Sequence, residues 1–175
     1  VSDFALAIPI VLANEGEGYV ADDNGRGPSK WGVTLESYQA FDPKATAADI
    51  ASMTPAAATP FYQQEFWQRY HIGAIVDQSL ATKTLDLAVN NGGTTAVKLL
   101  QQAVGLPASQ QDGVLGPITA GRANATPAAT ALAGLWLAAR AHYLAIVAAD
   151  PTKEPDLAGW LARNDSTGGK PDETQ

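Results

Sequence analysis

After Thr126-Pro127 the chain reads as one long helical pattern to about Ala149, in which Leu132, Leu135, Trp136, Ala139, Tyr143, Ile146 and Val147 form a broad apolar face. A face of that width has to be covered, so this segment is expected to be the central scaffold of a helical fold, with Pro151 ending it. Much of the 46% hydrophobic content is alanine, which suits closely packed helices better than sheets. With 175 residues the chain can bury one sizeable core, and with no cysteine its stability must come from packing.

Further helices are expected on both sides of a polar, glycine-rich break. Ser2 is a candidate N-cap for an opening helix to about Asn14, with Phe4, Ile8, Val11 and Leu12 on one side and a kink at Pro9. This apolar segment lacks a basic lead-in and is too short to span a bilayer. Residues 21–29, with two glycines and a proline among them, read as a loop or irregular hairpin, and Lys30 to Thr34 as a short returning strand. Thr34, Thr46 and the Thr54-Pro55 pair are placed to start helices. Tyr62, Phe66 and Tyr70 follow a four-residue step and read as an aromatic core stripe. A helix from Leu80 to Asn90 stops at Asn91-Gly92-Gly93, and Thr94-Thr95 would cap the next, which ends near Gly105. A short helix over Ile118 to Ala123 and a last one over Asp156 to Arg163 complete the pattern. The fold class is therefore mainly α, a helical bundle with one small irregular β-hairpin lobe.

Charge and residue inventory exclude several chemistries. A net charge of −7 with scattered Lys and Arg offers no nucleic-acid footprint. The two histidines, His71 and His142, lack the spacing or the cysteines of a zinc site, and no Gly-x-Ser-x-Gly elbow is present. Neither a metal nor another cofactor is called for. Four carboxylates, Glu15, Glu17, Asp22 and Asp23, crowd a glycine-rich bend directly after the opening helix, with Arg26 and Lys30 beyond. They lack the ligand spacing of an EF-hand. A pair of carboxyl groups in unlike environments is what glycoside hydrolysis needs: one sheltered acid to protonate the leaving oxygen, one charged group to support water or positive charge. Glu15, leaving the end of an apolar helix, fits the sheltered acid.

The run Glu15-Gly16-Glu17-Gly18-Tyr19-Val20, followed by Asp22-Asp23-Asn24-Gly25-Arg26-Gly27-Pro28-Ser29-Lys30-Trp31-Gly32-Val33-Thr34, resembles glycoside hydrolase family 108, which includes phage endolysins and N-acetylmuramidases of lysozyme-like fold. The likeness continues through Phe61-Tyr62, Phe66-Trp67, the stretch from Leu85 to Gly92 and that from Ala96 to Gly105. Asp112-Gly113-Val114-Leu115-Gly116-Pro117-Ile118-Thr119 looks like a peptidoglycan-binding element. Glu17 stands as an insertion in the family's Glu-Gly-Gly-Tyr element, so either glutamate aligns with the acid; Glu15, directly after the helix, is favoured.

The resemblance implies a single lysozyme-like domain over 1–165, with an active-site lobe (1–75), a helical lobe (76–165) holding the binding-like segment at about 86–125, and a flexible tail from 166 to 175. It implies a monomeric peptidoglycan hydrolase cleaving the β-1,4 bond between N-acetylmuramic acid and N-acetylglucosamine. Glu15 would be the acid, Asp23 (or Asp22) with Ser29 would assist water or the developing charge, and Tyr19, Trp31 and Asn90 would contact the glycan strand. Delivery from host cytoplasm to periplasm through a holin-type lesion is the route the same likeness implies, with no stable membrane span. A lytic transglycosylase using the same glutamate, and a non-catalytic wall-binding phage protein, are the alternatives.

Overall fold

The computed structural model describes residues 1–171. Nine α-helices among them carry the fold: α1 (Phe4–Glu15), α2 (Leu35–Phe41), α3 (Ala47–Ala51), α4 (Pro55–Tyr62), α5 (Gln78–Asn91), α6 (Gly93–Ala103), α7 (Pro117–Ala125), α8 (Ala128–Ala149) and α9 (Glu154–Ser166). One antiparallel pair, β1 (Ser29–Lys30) and β2 (Val33–Thr34), is the only sheet among the described residues. The mainly α expectation with one small hairpin holds.

Local chemistry starts most helices where the sequence places them. Thr34, Thr46 and Thr54 each accept a hydrogen bond from the backbone N–H three residues on, and Thr46 with Asp49 forms a full capping box. Two caps differ from expectation. Asp3, not Ser2, caps α1 by accepting from the Ala5 N–H, because a carboxylate is the stronger partner for a helix N-terminus. The α6 helix begins at Gly93, with Gly92 as its cap, so Thr94 and Thr95 lie in its first turn. Here Gly92, at φ +83°, turns the chain from α5 straight into α6.

The expected single strand at Lys30 to Thr34 is instead a hairpin folded back on itself, pairing Ser29 with Thr34 and Lys30 with Val33. Trp31 and Gly32 form its two-residue turn, both left-handed at φ +54° and +72°, the geometry that matches the natural twist of paired strands. Val20 bridges Ser29 and ties the preceding loop to this hairpin.

The enclosed centre is α5 rather than α8. Every residue from Leu80 to Ala88 is buried, including Thr82, Lys83, Thr84 and Asp86, and α1, α6 and α8 pack around them. Helix α8 is apolar and long enough to cross a membrane by length and composition, yet it lies against α6 and α9 through Ala131, Leu135, Trp136, Ala139 and Tyr143. Leu137 and Leu144 on its other side stay exposed. Gly134 permits the close crossing, since a Cβ there would stand 2.8 Å from the Ala103 carbonyl oxygen. Helix α4 runs through Pro60 and passes into a wider π turn at Gln63–Gln68, which sets the Phe66 ring 5.7 Å from Tyr62 and the Trp67 ring 5.6 Å from Phe4. Tyr70 leaves this stripe to lie over Gly93, where no side chain would fit.

Helix α9 docks on α5 and α8. Helix α9 continues through Ser166, and the buried Lys83 ammonium donates to the Asn164 carbonyl (2.7 Å) and the Thr167 hydroxyl (2.9 Å). Trp136 Nε1 donates to Asp165, and Asn164 donates to the Trp136 carbonyl. The first residues of the expected tail, Ser166 and Thr167, bond to Asn14 of α1 and Lys83 of α5, while 172–175 lie outside the described residues.

Burial pushes the Lys83 ammonium down to about 8 from 10.5, against the pull of Asp86 and Asp165. Between those two values the unfolded chain binds the extra proton, so stability should rise with pH above about 8. Thermal unfolding followed from pH 7.5 to 9.5, below the range in which buried Tyr62 and Tyr143 oppose the trend, should show a rising midpoint. Lys83→Met should flatten it.

Candidate active site

Glu15 is the last residue of α1, and Gly16 caps the helix by donating its N–H to the Leu12 carbonyl (3.0 Å) at φ +73°. The helix therefore stops at Glu15 and the chain leaves in a different direction, which frees the carboxyl group to point off the helix end. Three other elements meet it there. Arg163 of α9 places Nη1 2.7 Å from Glu15 Oε1. Gly32 in the hairpin turn lies against Glu15 Oε2, so close that a Cβ would overlap the oxygen. The same point is 2.7 Å from the Tyr62 hydroxyl, which puts the end of α4 on the third side.

Each neighbour is held in turn. Tyr62 is buried, and its hydroxyl donates to the Trp31 carbonyl at 2.6 Å, clamping the hairpin turn onto α4. Burial first, and then the charge of Glu15, drive the Tyr62 phenol above its ordinary range, so it stays a neutral donor. Arg163 presents Nε and Nη2 to Asp86 of α5 in a fork at 2.9–3.1 Å, and Asn14 adds a bond to the same carboxylate at 3.0 Å. Burial alone would lower the Arg163 pKa; Asp86 first and Glu15 second more than reverse that, and the guanidinium stays charged. The Glu15 and Arg163 side chains keep 15% and 14% of their surface, against 2% for Asp86, so the first two form the accessible edge of the cluster.

Tyr62→Phe tests the clamp. Losing this hydroxyl leaves a part-buried carbonyl without its donor, and should lower stability by about 1–3 kcal/mol in urea unfolding. Any activity that depends on Glu15 should fall further than stability does, because the turn beside it loosens.

The other expected site residues are distributed less evenly. Asp22 accepts from the Gly25 N–H and Asp23 pairs with Arg26 at 3.0 Å, so both carboxylates brace their own loop. Among the described residues no hydrogen bond joins either to Glu15. Ser29 is buried in β1, two residues from the Trp31–Gly32 turn. Tyr19 and Glu17 are exposed on the stretch leading into the loop. Trp31 donates its indole N–H to the Met53 carbonyl and lines an apolar pocket together with Ile8, Leu12 and Pro55, while its carbonyl accepts from Tyr62. Asn90 and Asn91 both donate to the Tyr143 hydroxyl, whose ring stacks on Trp160 at 5.5 Å. Burial raises the Tyr143 phenol, which also senses Asp86 and Arg163, placing Asn90 at the margin of the same cluster.

In the segment from Asp112 to Thr119 the exposed Asp112 and the buried Thr119 share one partner. Buried Gln101 donates to Asp112, Thr119 and the Val114 carbonyl and accepts from the Gly113 N–H, leaving Val114 and Ile118 as its exposed apolar surface. Arg163, Asp86 and Tyr62 are the participants that sequence reading missed. Asp86 in an apolar helix was the one available hint, since a buried charge demands a partner.

Residues 8–92 match the family model of glycosyl hydrolase 108, so Glu15, the hairpin, Tyr62 and Asp86 fall inside the matched span and Arg163 outside it. Among solved structures, that of Brucella abortus SagA is similar over 98% of both chains, with a TM-score of 0.71 and 27% sequence identity. No curated protein matches. The family match takes in just under half of the chain, whereas the structural likeness runs over nearly its whole length.

Proposed function

We propose that this chain hydrolyses the β-1,4 bond between N-acetylmuramic acid and N-acetylglucosamine, with Glu15 donating the proton to the leaving oxygen. The observation that carries this reading is the placement of Glu15: a part-buried carboxyl at a helix end, inside the matched span, facing a turn whose Gly32 leaves room for nothing larger than hydrogen. Such a group meets the need for a fixed acid beside an open approach. Asp23, or Asp22, with Ser29 would serve water or the developing positive charge from the adjoining loop, and Tyr19, Trp31 and Asn90 would contact the glycan strand. Val114 and Ile118 would add wall contacts away from the reacting bond.

Incubation with purified sacculi tests this. Hydrolysis releases muropeptides with reducing N-acetylmuramic ends, whereas a transglycosylase using the same glutamate would give products lighter by one water, with a 1,6-anhydro ring. Sacculus binding without any released ends would instead establish a wall-binding protein and end the proposal.

A further inference from the structure

We infer that Asp86 is a positioning residue for this reaction: it grips one edge of the Arg163 guanidinium so that only Nη1 reaches Glu15, and thereby sets how readily Glu15 takes up and releases its proton. The inference rests on the reading of Glu15 as the proton donor.

The geometry is asymmetric. Asp86 takes Nε and Nη2 together, with Nε at 3.1 Å from both its oxygens and Nη2 at 2.9 Å from one. Glu15 receives one contact, from Nη1 at 2.7 Å. A fork that engages two nitrogens of a planar group fixes its plane, while the single contact can be given up without moving it. Arg163 is thus anchored on α5 and merely touches α1. Five consecutive residues reinforce the anchor: besides Arg163, Asn164 and Thr167 accept from Lys83, Asp165 accepts from Trp136, and Ser166 donates to Asn14.

Charge gives the arrangement its consequence. Asp86 is almost fully enclosed, where an uncompensated carboxylate is costly, and Arg163 already balances it. Adding ionised Glu15 leaves the trio at minus one, whereas protonated Glu15 leaves it neutral. Other groups also face the trio. Tyr62 from α4 and Tyr143 from α8 are neutral, while Lys83 on α5 faces both Asp86 and Asp165 of α9, the latter also paired with Lys170 at 3.3 Å, and these groups are the same in every variant compared below. Asp86 and Arg163 thus set opposite charges beside Glu15, and removing either one leaves the other unbalanced.

Two variants separate this role from a structural one because they act in opposite directions. Asp86→Asn leaves Arg163 facing Glu15 alone, so the alkaline limb of the rate profile on sacculi should move down by about one pH unit, with roughly tenfold loss near neutrality. Arg163→Gln removes the cation and should move the limb up by a similar amount. The carboxyl carbon of Glu15, followed by NMR in selectively labelled protein and assigned through Glu15→Gln, should titrate with the same two displacements. Uniform loss of rate in both variants with no displaced limb or titration, or displacement in the same direction, would overturn the inference. If Asp86→Asn does not fold, the upward displacement in Arg163→Gln decides alone. The NMR displacements without any released reducing ends in the wild type would uphold the coupling and sink only the glycosidase reading.

Discussion

Gly32→Ala is expected to give a folded protein with wall-degrading activity reduced by about a hundredfold. Two effects combine at this position. A φ of +72° costs an L-residue roughly 1–2 kcal/mol, which a core of this size can absorb. The added methyl would also overlap Glu15 Oε2 and stand 2.7 Å from the Tyr62 hydroxyl. Tyr62 is buried and bonded to the hairpin it would have to leave, so Glu15, the flexible partner, is the one that moves. Displacing a reacting group by about 1 Å commonly costs about two orders of magnitude in rate. Thermal unfolding beside initial rates on sacculi checks both parts: a small fall in midpoint with a large fall in rate is expected, and unchanged rate would show that the turn does not border the reacting group.

Replacing Glu15 by glutamine should have the largest effect on rate of any single change. A positioned proton donor contributes about 10²–10⁴ in rate, and the amide cannot donate in its place. Fold should survive, because the amide oxygen can still accept from Arg163 Nη1 and the Asp86 fork is untouched. Circular dichroism and the unfolding midpoint should stay close to wild type, while release of reducing ends falls by about two orders of magnitude or more.

Elements that depend on neighbours close in sequence were legible, and those that depend on distant partners were not. Thr34, Thr46 and Thr54 announce helix starts because the bond they accept lies three residues away. Glu15 was legible for a similar reason, as a glutamate closing an apolar helix before glycines. The hairpin turn was not, because a tryptophan at φ +54° is an uncommon occupant of a left-handed position, and it is tolerated here through the Tyr62 and Met53 bonds. Helix α5 was legible as a helix from Leu80, but the burial of Lys83 and Asp86 was not, because α9 brings partners to them from 81 and 77 residues away. No periodicity carries that information. The same distance hides Arg163, which joins a site otherwise built from the first half of the chain.

The most direct measurement compares wild type, Glu15→Gln and Glu17→Gln for loss of turbidity in permeabilised Gram-negative cells, with each variant's fold verified by circular dichroism. Glu17 is exposed and stands clear of the Arg163 pair, so its variant should lyse cells at close to the wild-type rate while Glu15→Gln lyses them hardly at all. Full lysis by a folded Glu15→Gln, with loss confined to Glu17→Gln, would contradict the assignment and move the acid out of the Arg163–Asp86 cluster.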